Sequence, residues 1–175
     1  MSTHKKELII LSTEQPKLYM ICGISGSGKT FYAKNLERQG AVRLSIDEEL
    51  WPDFFVLDPL LCAEHKAVLK EQALSRIKSR AANLIATGRD VCVDMPFCKR
   101  AQRDEFRAFA AECGAAPVLV YLKADLPVLK ARLAARAGKN DPNALPVSEE
   151  ELLCYWRGFE RPAPDESPII IEQPE

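Results

Sequence analysis

The chain has 175 residues, of which 47% are hydrophobic and 28% are charged, as in an average soluble globular protein. This composition excludes a disordered or collagen-like chain, and the length predicts a single domain. Lys and Arg total 24 against 25 for Asp and Glu, which excludes the strong positive charge that drives nonspecific binding to nucleic acid or anionic lipid. The net charge does not exclude a local basic groove.

The first 16 residues are expected to form an N-terminal extension to one domain that comprises residues 17–175. The apolar run at residues 8–11 is too short for the core of a signal peptide and too short to span a membrane. We therefore expect a cytoplasmic protein without a membrane partner. Its six cysteines include no CxxC pair of the metal-binding type, so we expect reduced and mostly buried thiols.

Apolar runs alternate with helical patterns along the chain, which is typical of a parallel sheet covered by helices. The first strand is predicted at residues 18–22, before a glycine-rich loop, and a helix follows at residues 30–38. A second strand is predicted at residues 41–45. Helical spacing without proline then predicts one long helix, or two, at residues 60–87.

The second half of the chain continues the same alternation. The predicted strands are residues 91–93, which end at Asp94, then 117–122 and 169–171; the predicted helices are residues 100–113, 125–137 and 148–159. The polar, turn-rich segment at about residues 137–148 is predicted to form a short lid. Ser148 followed by Glu151 is a capping-box pattern for the last helix. The sequence thus predicts an α/β fold with a mostly parallel five-stranded sheet.

A glycine-rich segment between the first strand and the first helix matches the pattern GxxxxGK(S/T). Its glycines allow backbone angles that point successive N–H groups at an anion. Lys29 is expected to bridge the β- and γ-phosphates of ATP, and the Thr30 hydroxyl to hold Mg²⁺. A fortuitous glycine-rich turn is the alternative, which the flanking strand and helix disfavour. The expected phosphate-binding residues are Gly23, Ser25, Gly26, Ser27, Gly28, Lys29 and Thr30.

A GTPase needs a DxxG segment after a strand and an NKxD motif that reads the base. The third strand ends in Asp94, but Phe97 stands where the glycine should be. The closest match to the second motif begins with Leu122, which lacks the amide of asparagine, and its Asp125 is better explained as a helix cap. These departures disfavour a GTPase.

Four stretches together carry a family resemblance: residues 23–30, 42–48, 91–94 followed by Arg100 and Arg103, and 132–136. In these stretches the chain resembles the small P-loop kinases known as predicted ATP-binding kinases. That family is related to polynucleotide 5′-hydroxyl kinases, chloramphenicol phosphotransferases and zeta toxins. The resemblance covers about residues 17–164. It implies a three-layer P-loop NTPase fold, ATP and Mg²⁺ as cofactors, and phosphoryl transfer to a hydroxyl group.

The resemblance also implies roles for two aspartates. Asp47 would face the acceptor hydroxyl, where a carboxylate can orient the group and accept its proton. Its alternative role is the N-cap of the following helix, with Glu48 and Glu49 in the first turn. Asp94 would be the Walker B carboxylate that anchors Mg²⁺, and its alternative is a charged strand end that faces solvent.

The resemblance also implies roles for two pairs of arginines. Arg132 and Arg136, four residues apart on one helix, would close over the triphosphate, whereas the alternative is a solvated basic helix face. Arg100 and Arg103 would face the acceptor or a phosphate, and ordinary helix-surface charge explains them equally well.

The order of these residues predicts a kinase that transfers the γ-phosphoryl group of ATP to a hydroxyl of a small-molecule acceptor, with Lys29, Asp47 and Arg136 as catalytic residues. The alternatives are a polynucleotide 5′-hydroxyl kinase, which the net charge does not support, and a nucleotide-binding module or slow ATPase without an acceptor. No motif in the sequence specifies the acceptor.

Overall fold

The computed structural model describes residues 14–54, 63–136 and 147–173, and for residues 51–54, 63–65 and 136 only the backbone. The strands are β1 (Lys17–Cys22), β2 (Val42–Ser45), β3 (Val91–Asp94), β4 (Ala116–Lys123) and β5 (Ile169–Glu172). The helices are α1 (Lys29–Arg38), α2 (Ile46–Phe54), α3 (Ala63–Ala86), α4 (Arg100–Glu112), α5 (Leu126–Arg136) and α6 (Glu149–Gly158). A short 3₁₀ turn, Pro164–Glu166, precedes β5.

The five described strands form one sheet in the order β2-β3-β1-β4-β5, and every neighbouring pair is parallel. The prediction of a mostly parallel five-stranded sheet is therefore confirmed. The chain leaves β1 towards β2 on one side and leaves β3 towards β4 on the other. Such a reversal opens a crevice at the carboxyl ends of the central strands, where ligands of parallel α/β sheets bind.

Helices cover both faces of the sheet, which gives the expected three layers. On one face α3, α4, α5 and α6 contribute buried apolar side chains, among them Ile77, Phe106, Leu129 and Leu152. On the other face α1 packs Ala33 and Leu36 against the strands. Because the central strands are buried on both faces, they appear in the sequence as continuous apolar runs.

The predicted start of α6 is confirmed in detail. Glu151 N donates to Ser148 Oγ at 3.1 Å, and Ser148 N donates to Glu151 Oε2 at 2.8 Å, which is a reciprocal capping box. The proline-free segment predicted as one long helix or two forms, in its described residues, the single 24-residue helix α3. Most of the predicted lid, at residues 137–146, and most of the predicted N-terminal extension, at residues 1–13, lie outside the described residues.

For its described residues, the structure also bears on the expectations about membrane spans and cysteines. None of the helices in these residues is long and apolar enough to cross a membrane. The five described cysteines are unpaired: Cys22 and Cys92 are buried, Cys98 and Cys113 are partly buried, and Cys154 is exposed.

Candidate functional site

The glycine loop between β1 and α1 lies at the carboxyl edge of the sheet, next to the loop that follows β3. Gly23 N donates to Pro96 O at 3.2 Å, which joins the two loops. A Cβ atom at Gly23 would lie 2.4 Å from Ser27 Oγ, and Gly28 has a φ of +91° directly before α1. Glycine is therefore needed at these positions, and the loop delivers the amino end of α1 to the cleft, where backbone N–H groups favour an anion.

Lys29 extends back over this loop, since its Nζ donates to Ile24 O at 3.0 Å. Burial lowers the pKa of Lys29, and the nearby carboxylates of Asp94 and Asp47 oppose that effect. The ammonium group thus lies between the glycine loop and two acidic side chains. This is the arrangement expected of a lysine that contacts a phosphate while carboxylates stand beside the reacting group.

Asp94 ends β3 and is buried, with only 4% of its side chain exposed. Arg43, on the neighbouring strand β2, donates to Asp94 Oδ2 from Nε at 3.0 Å and from Nη2 at 2.8 Å. Arg43 Nη1 also donates to Glu48 Oε1 at 2.8 Å. The alternative interpretation of Asp94 as a solvent-facing strand end is therefore wrong. The sequence interpretation also missed that Arg43 binds this carboxylate. An arginine inside a short buried strand was the available signal.

Asp47 is the second residue of α2 and lines the cleft. Ser45 precedes this helix, and Glu48 N donates to Ser45 Oγ at 3.3 Å. The N-cap is therefore Ser45, and the alternative interpretation of Asp47 as the cap is wrong. The Asp47 carboxylate lies in the first turn of α2, close enough to Lys29 to influence its pKa.

A cleft of about 880 Å³ joins these parts of the molecule. Its lining includes Ser25, Gly26, Gly28 and Lys29 of the glycine loop together with Thr30, Asp47, Asp94 and Arg132. Gly23 and Ser27, which were also expected to bind phosphate, are not part of this lining, and Ser27 is buried. Residues predicted from four separate stretches of the sequence thus share one cavity. The backbone of Arg136 ends α5, and its side chain lies outside the described residues.

Arg132 lies over the glycine loop. Its Nη1 donates to Gln173 Oε1 at 3.3 Å, and a Cβ atom at Gly28 would lie 3.4 Å from that same oxygen. Gln173 follows β5, and sequence reasoning gave no reason to place it here. The end of the sheet and α5 therefore enclose the glycine loop from one side.

Arg100 and Arg103 do not line the cleft, so the expectation that they face an acceptor or a phosphate is wrong. Arg100 is on the surface and donates to Asp165. Arg103 is completely buried: its Nε and Nη2 donate to Glu166 at 2.7 and 2.9 Å, and its Nη1 donates to Phe97 O at 3.0 Å. Arg103 therefore supports the loop after β3 from behind.

The cleft also contains residues that sequence reasoning did not single out. Lys70 reaches it from α3, Lys99 and Gln102 from the start of α4, and Tyr155 from α6. Cys98 is partly buried there, and burial raises the pKa of its thiol. These residues come from helices that are adjacent only in the fold, so no local pattern could have joined them.

The donor set of the cleft fits Mg²⁺. The Thr30 hydroxyl and the Asp94 carboxylate supply the oxygen atoms that Mg²⁺ prefers, and this ion commonly keeps several waters and phosphate oxygens as its other ligands. The described residues contain no cluster of three or more His, Cys, Asp or Glu that could hold a metal ion by themselves. Thr30 and Asp94 would therefore hold the ion jointly with a nucleotide.

A glycine loop between the central strand of a parallel sheet and a helix, with Lys29 folded over it, defines a P-loop NTPase fold of the kinase-like type. A family model described as an AAA domain matches residues 18–162, and the chain belongs to this family. The resemblance to small P-loop kinases is thereby confirmed. No curated protein matches the chain.

Solved structures share the fold at low sequence identity. A candidate kinase from Chloroflexus aurantiacus is 19% identical with a TM-score of 0.69, covering 91% of this chain and 86% of that one. A sugar kinase from Janibacter sp. is 20% identical with a TM-score of 0.64, covering 92% and 88%. Kti12 from Chaetomium thermophilum, in complex with ADP-AlF3, is 13% identical with a TM-score of 0.65, covering 89% and 88%. At these identities the similarity is one of fold.

Proposed function

We propose that the protein is an ATP-dependent phosphotransferase that moves the γ-phosphoryl group of ATP to a hydroxyl of a small molecule. The observation that carries this proposal is that Lys29 and Asp47 line one cleft of about 880 Å³, at the upper end of the range for small-molecule sites. Such a cleft has room for a nucleotide and a second ligand. The fold shared with a sugar kinase and with a protein crystallised with ADP-AlF3 supports the proposal.

The glycine loop and α1 would bind the phosphates through backbone N–H groups, and Lys29 would contact the β- and γ-phosphates. Arg132, which lies over the loop, would add a second positive charge. Arg136, four residues later at the end of α5 and next to the predicted lid, would close over the triphosphate. When bound by Thr30 and Asp94, Mg²⁺ would neutralise phosphate charge.

Asp47 would act on the acceptor. Its carboxylate accepts the proton of the acceptor hydroxyl while the hydroxyl oxygen forms a bond to the γ-phosphorus. The bond between that phosphorus and the β–γ bridging oxygen breaks, and ADP leaves with the bond electrons. Such proton transfer by a positioned side chain contributes roughly 10²- to 10⁴-fold to a rate.

Transfer of labelled γ-phosphate tests the proposal. The protein is incubated with Mg²⁺, γ-labelled ATP and a panel of sugars, sugar acids, nucleosides, antibiotics and 5′-hydroxyl oligonucleotides. We expect a labelled small molecule, and we expect Lys29→Ala to abolish transfer while Lys34→Ala, an exposed lysine on the same helix, leaves it unchanged.

The other outcomes of this experiment contradict the proposal in distinct ways. Transfer to oligonucleotides alone would favour a polynucleotide kinase. ATP binding and slow hydrolysis with no labelled acceptor would favour a nucleotide-binding module that acts through a partner protein.

A further inference from the structure

The helices α3 and α4 lie side by side along one wall of the cleft. Lys78 on α3 donates to Glu105 Oε1 at 2.5 Å, and its Nζ lies 5.2 Å from the ring centroid of Phe106. Two turns before Lys78, α3 brings Lys70 to the cleft, and the start of α4 brings Lys99 and Gln102. Two lysines from different elements therefore line the cleft.

The cationic side chains that line the cleft come from two parts of the fold. Lys29 and Arg132 lie at the glycine loop, whereas Lys70 lies on α3 and Lys99 is the residue before α4. Lys99 donates to Glu160 at 3.1 Å, with half of its side chain exposed. Within the described parts of the chain, Lys70 has no carboxylate within ion-pair distance, so its charge is available to a ligand.

Three carboxylates line the cleft together with these four cationic side chains, namely Asp47, Asp94 and Glu151. The buried carboxylate of Asp94 is bound by Arg43. Glu151 accepts from Ser148 N at 2.8 Å in the capping box of α6. Asp94 and Glu151 are therefore engaged by partners other than Lys70 and Lys99.

Cys98 lines the same cleft as Lys29, Lys70 and Lys99. Burial raises the pKa of its thiol, and the positive charges of these three lysines act in the opposite direction. Gln102 Oε1 accepts from Lys99 N at 3.3 Å, which leaves the amide N–H groups of Gln102 without a partner among the described residues.

We propose that Lys70 and Lys99, with the amide of Gln102, form a subsite for a negatively charged group of the acceptor. The acceptor class is thus a small hydroxy compound that carries a carboxylate or a phosphate. This inference rests on the proposed function and assigns the substrate class of the same cleft. A charged group that receives charge-assisted hydrogen bonds is bound more tightly than a neutral one, by about tenfold for each bond.

Matched acceptors test the subsite in the transfer reaction. D-gluconate is compared with D-glucitol, and glycerol 3-phosphate with glycerol, because each pair differs in the charged group. We expect the charged member of a pair to have the higher kcat/KM, by about tenfold or more. Lys70→Ala should raise KM for the charged member about tenfold and leave KM for ATP unchanged, and Lys70→Arg should restore it. Lys66→Ala is the control, an exposed lysine one turn earlier on α3. Equal use of both members would overturn the subsite and leave the kinase proposal standing.

A binding measurement covers acceptors outside these pairs. Radioactive sulfate is titrated by equilibrium dialysis into protein saturated with Mg²⁺ and AMPPNP, so that the glycine loop is already filled. We expect sulfate to bind, and its affinity to fall at least tenfold in Lys70→Ala/Lys99→Ala with unchanged nucleotide affinity. Equal sulfate binding by both proteins would overturn the subsite, whereas failure to bind AMPPNP would overturn the proposed function.

Discussion

The buried ion pair between Arg103 and Glu166 allows a quantitative prediction about stability. The Glu166 side chain is fully buried, and Arg103 donates to both of its carboxylate oxygens. The hydrogen bonds and charge of Arg103, with a bond from Ala163 N, lower the pKa of Glu166 from 4.5 to about 2 despite burial. This difference, at 1.36 kcal/mol for each pH unit, corresponds to about 3 kcal/mol.

The sign of the pH dependence follows from the lowered pKa. Because Glu166 holds its proton more weakly in the folded state, the ion pair stabilises the fold fully above pH 4.5 and loses this effect as the pH falls towards 2. At pH 7, Glu166→Gln leaves the Arg103 guanidinium buried without a counter-charge. We expect it to lower the free energy of unfolding by about 3 kcal/mol.

Urea denaturation of both proteins at pH 7 and at several lower pH values measures this effect. The difference between wild type and Glu166→Gln should narrow as the pH falls. Asp165→Asn is the matched control, since Asp165 pairs with Arg100 at the surface, and it should leave the urea midpoint almost unchanged. Arg103→Met/Glu166→Leu should recover part of the loss, because both charges are removed together. A loss that is independent of pH, or below about 1 kcal/mol at pH 7, would refute the reasoning.

Two further predictions concern the candidate site. Gly23→Ala places a Cβ atom 2.4 Å from Ser27 Oγ, so nucleotide affinity measured by calorimetry should fall at least tenfold. Gly158→Ala is the control, because no atom lies within 4 Å of the added Cβ, and it should leave the affinity unchanged. Equal nucleotide affinities of the two variants would contradict the steric argument. Arg43→Met leaves Asp94 buried without its partner and should lower the free energy of unfolding by about 3 to 5 kcal/mol in urea denaturation, whereas Glu48→Gln, at the exposed partner of Arg43, should cost much less.

The sequence sufficed where the determining pattern is local. The glycine loop, the strand runs and the capping box at Ser148 are each encoded within about ten residues, and all were predicted in place. The alternative N-cap at Asp47 lies two residues after the observed N-cap, because Ser45 is an equally good cap and local sequence does not choose between them.

The ion pairs of the fold could not be predicted in the same way. Arg43 and Asp94 are 51 positions apart, and Arg103 and Glu166 are 63 apart. The first pair depends on β2 lying beside β3, and the second on the C-terminal segment passing behind α4. The family resemblance implied an acceptor- or phosphate-facing role for Arg103, and only the packing shows that it is buried.

The grouping of the cleft residues could be predicted from the sequence in part. Asp94 ends β3 and Asp47 comes shortly after β2, so the fold class already places them at one edge of the sheet. Lys70 lies within the long helix α3, and nothing in the sequence indicates which of its turns reaches the cleft.

The central claim is that Asp47 acts on an acceptor rather than on the nucleotide. Its most direct test is Asp47→Asn, with single-turnover transfer from γ-labelled ATP and nucleotide affinity both measured, and with Asp104→Asn, at an exposed aspartate on α4, as the control. We expect transfer to fall at least about 100-fold while the dissociation constant for ATP stays within about twofold of wild type. Transfer at the wild-type rate, or a loss of ATP affinity that matches the loss of transfer, would contradict the account.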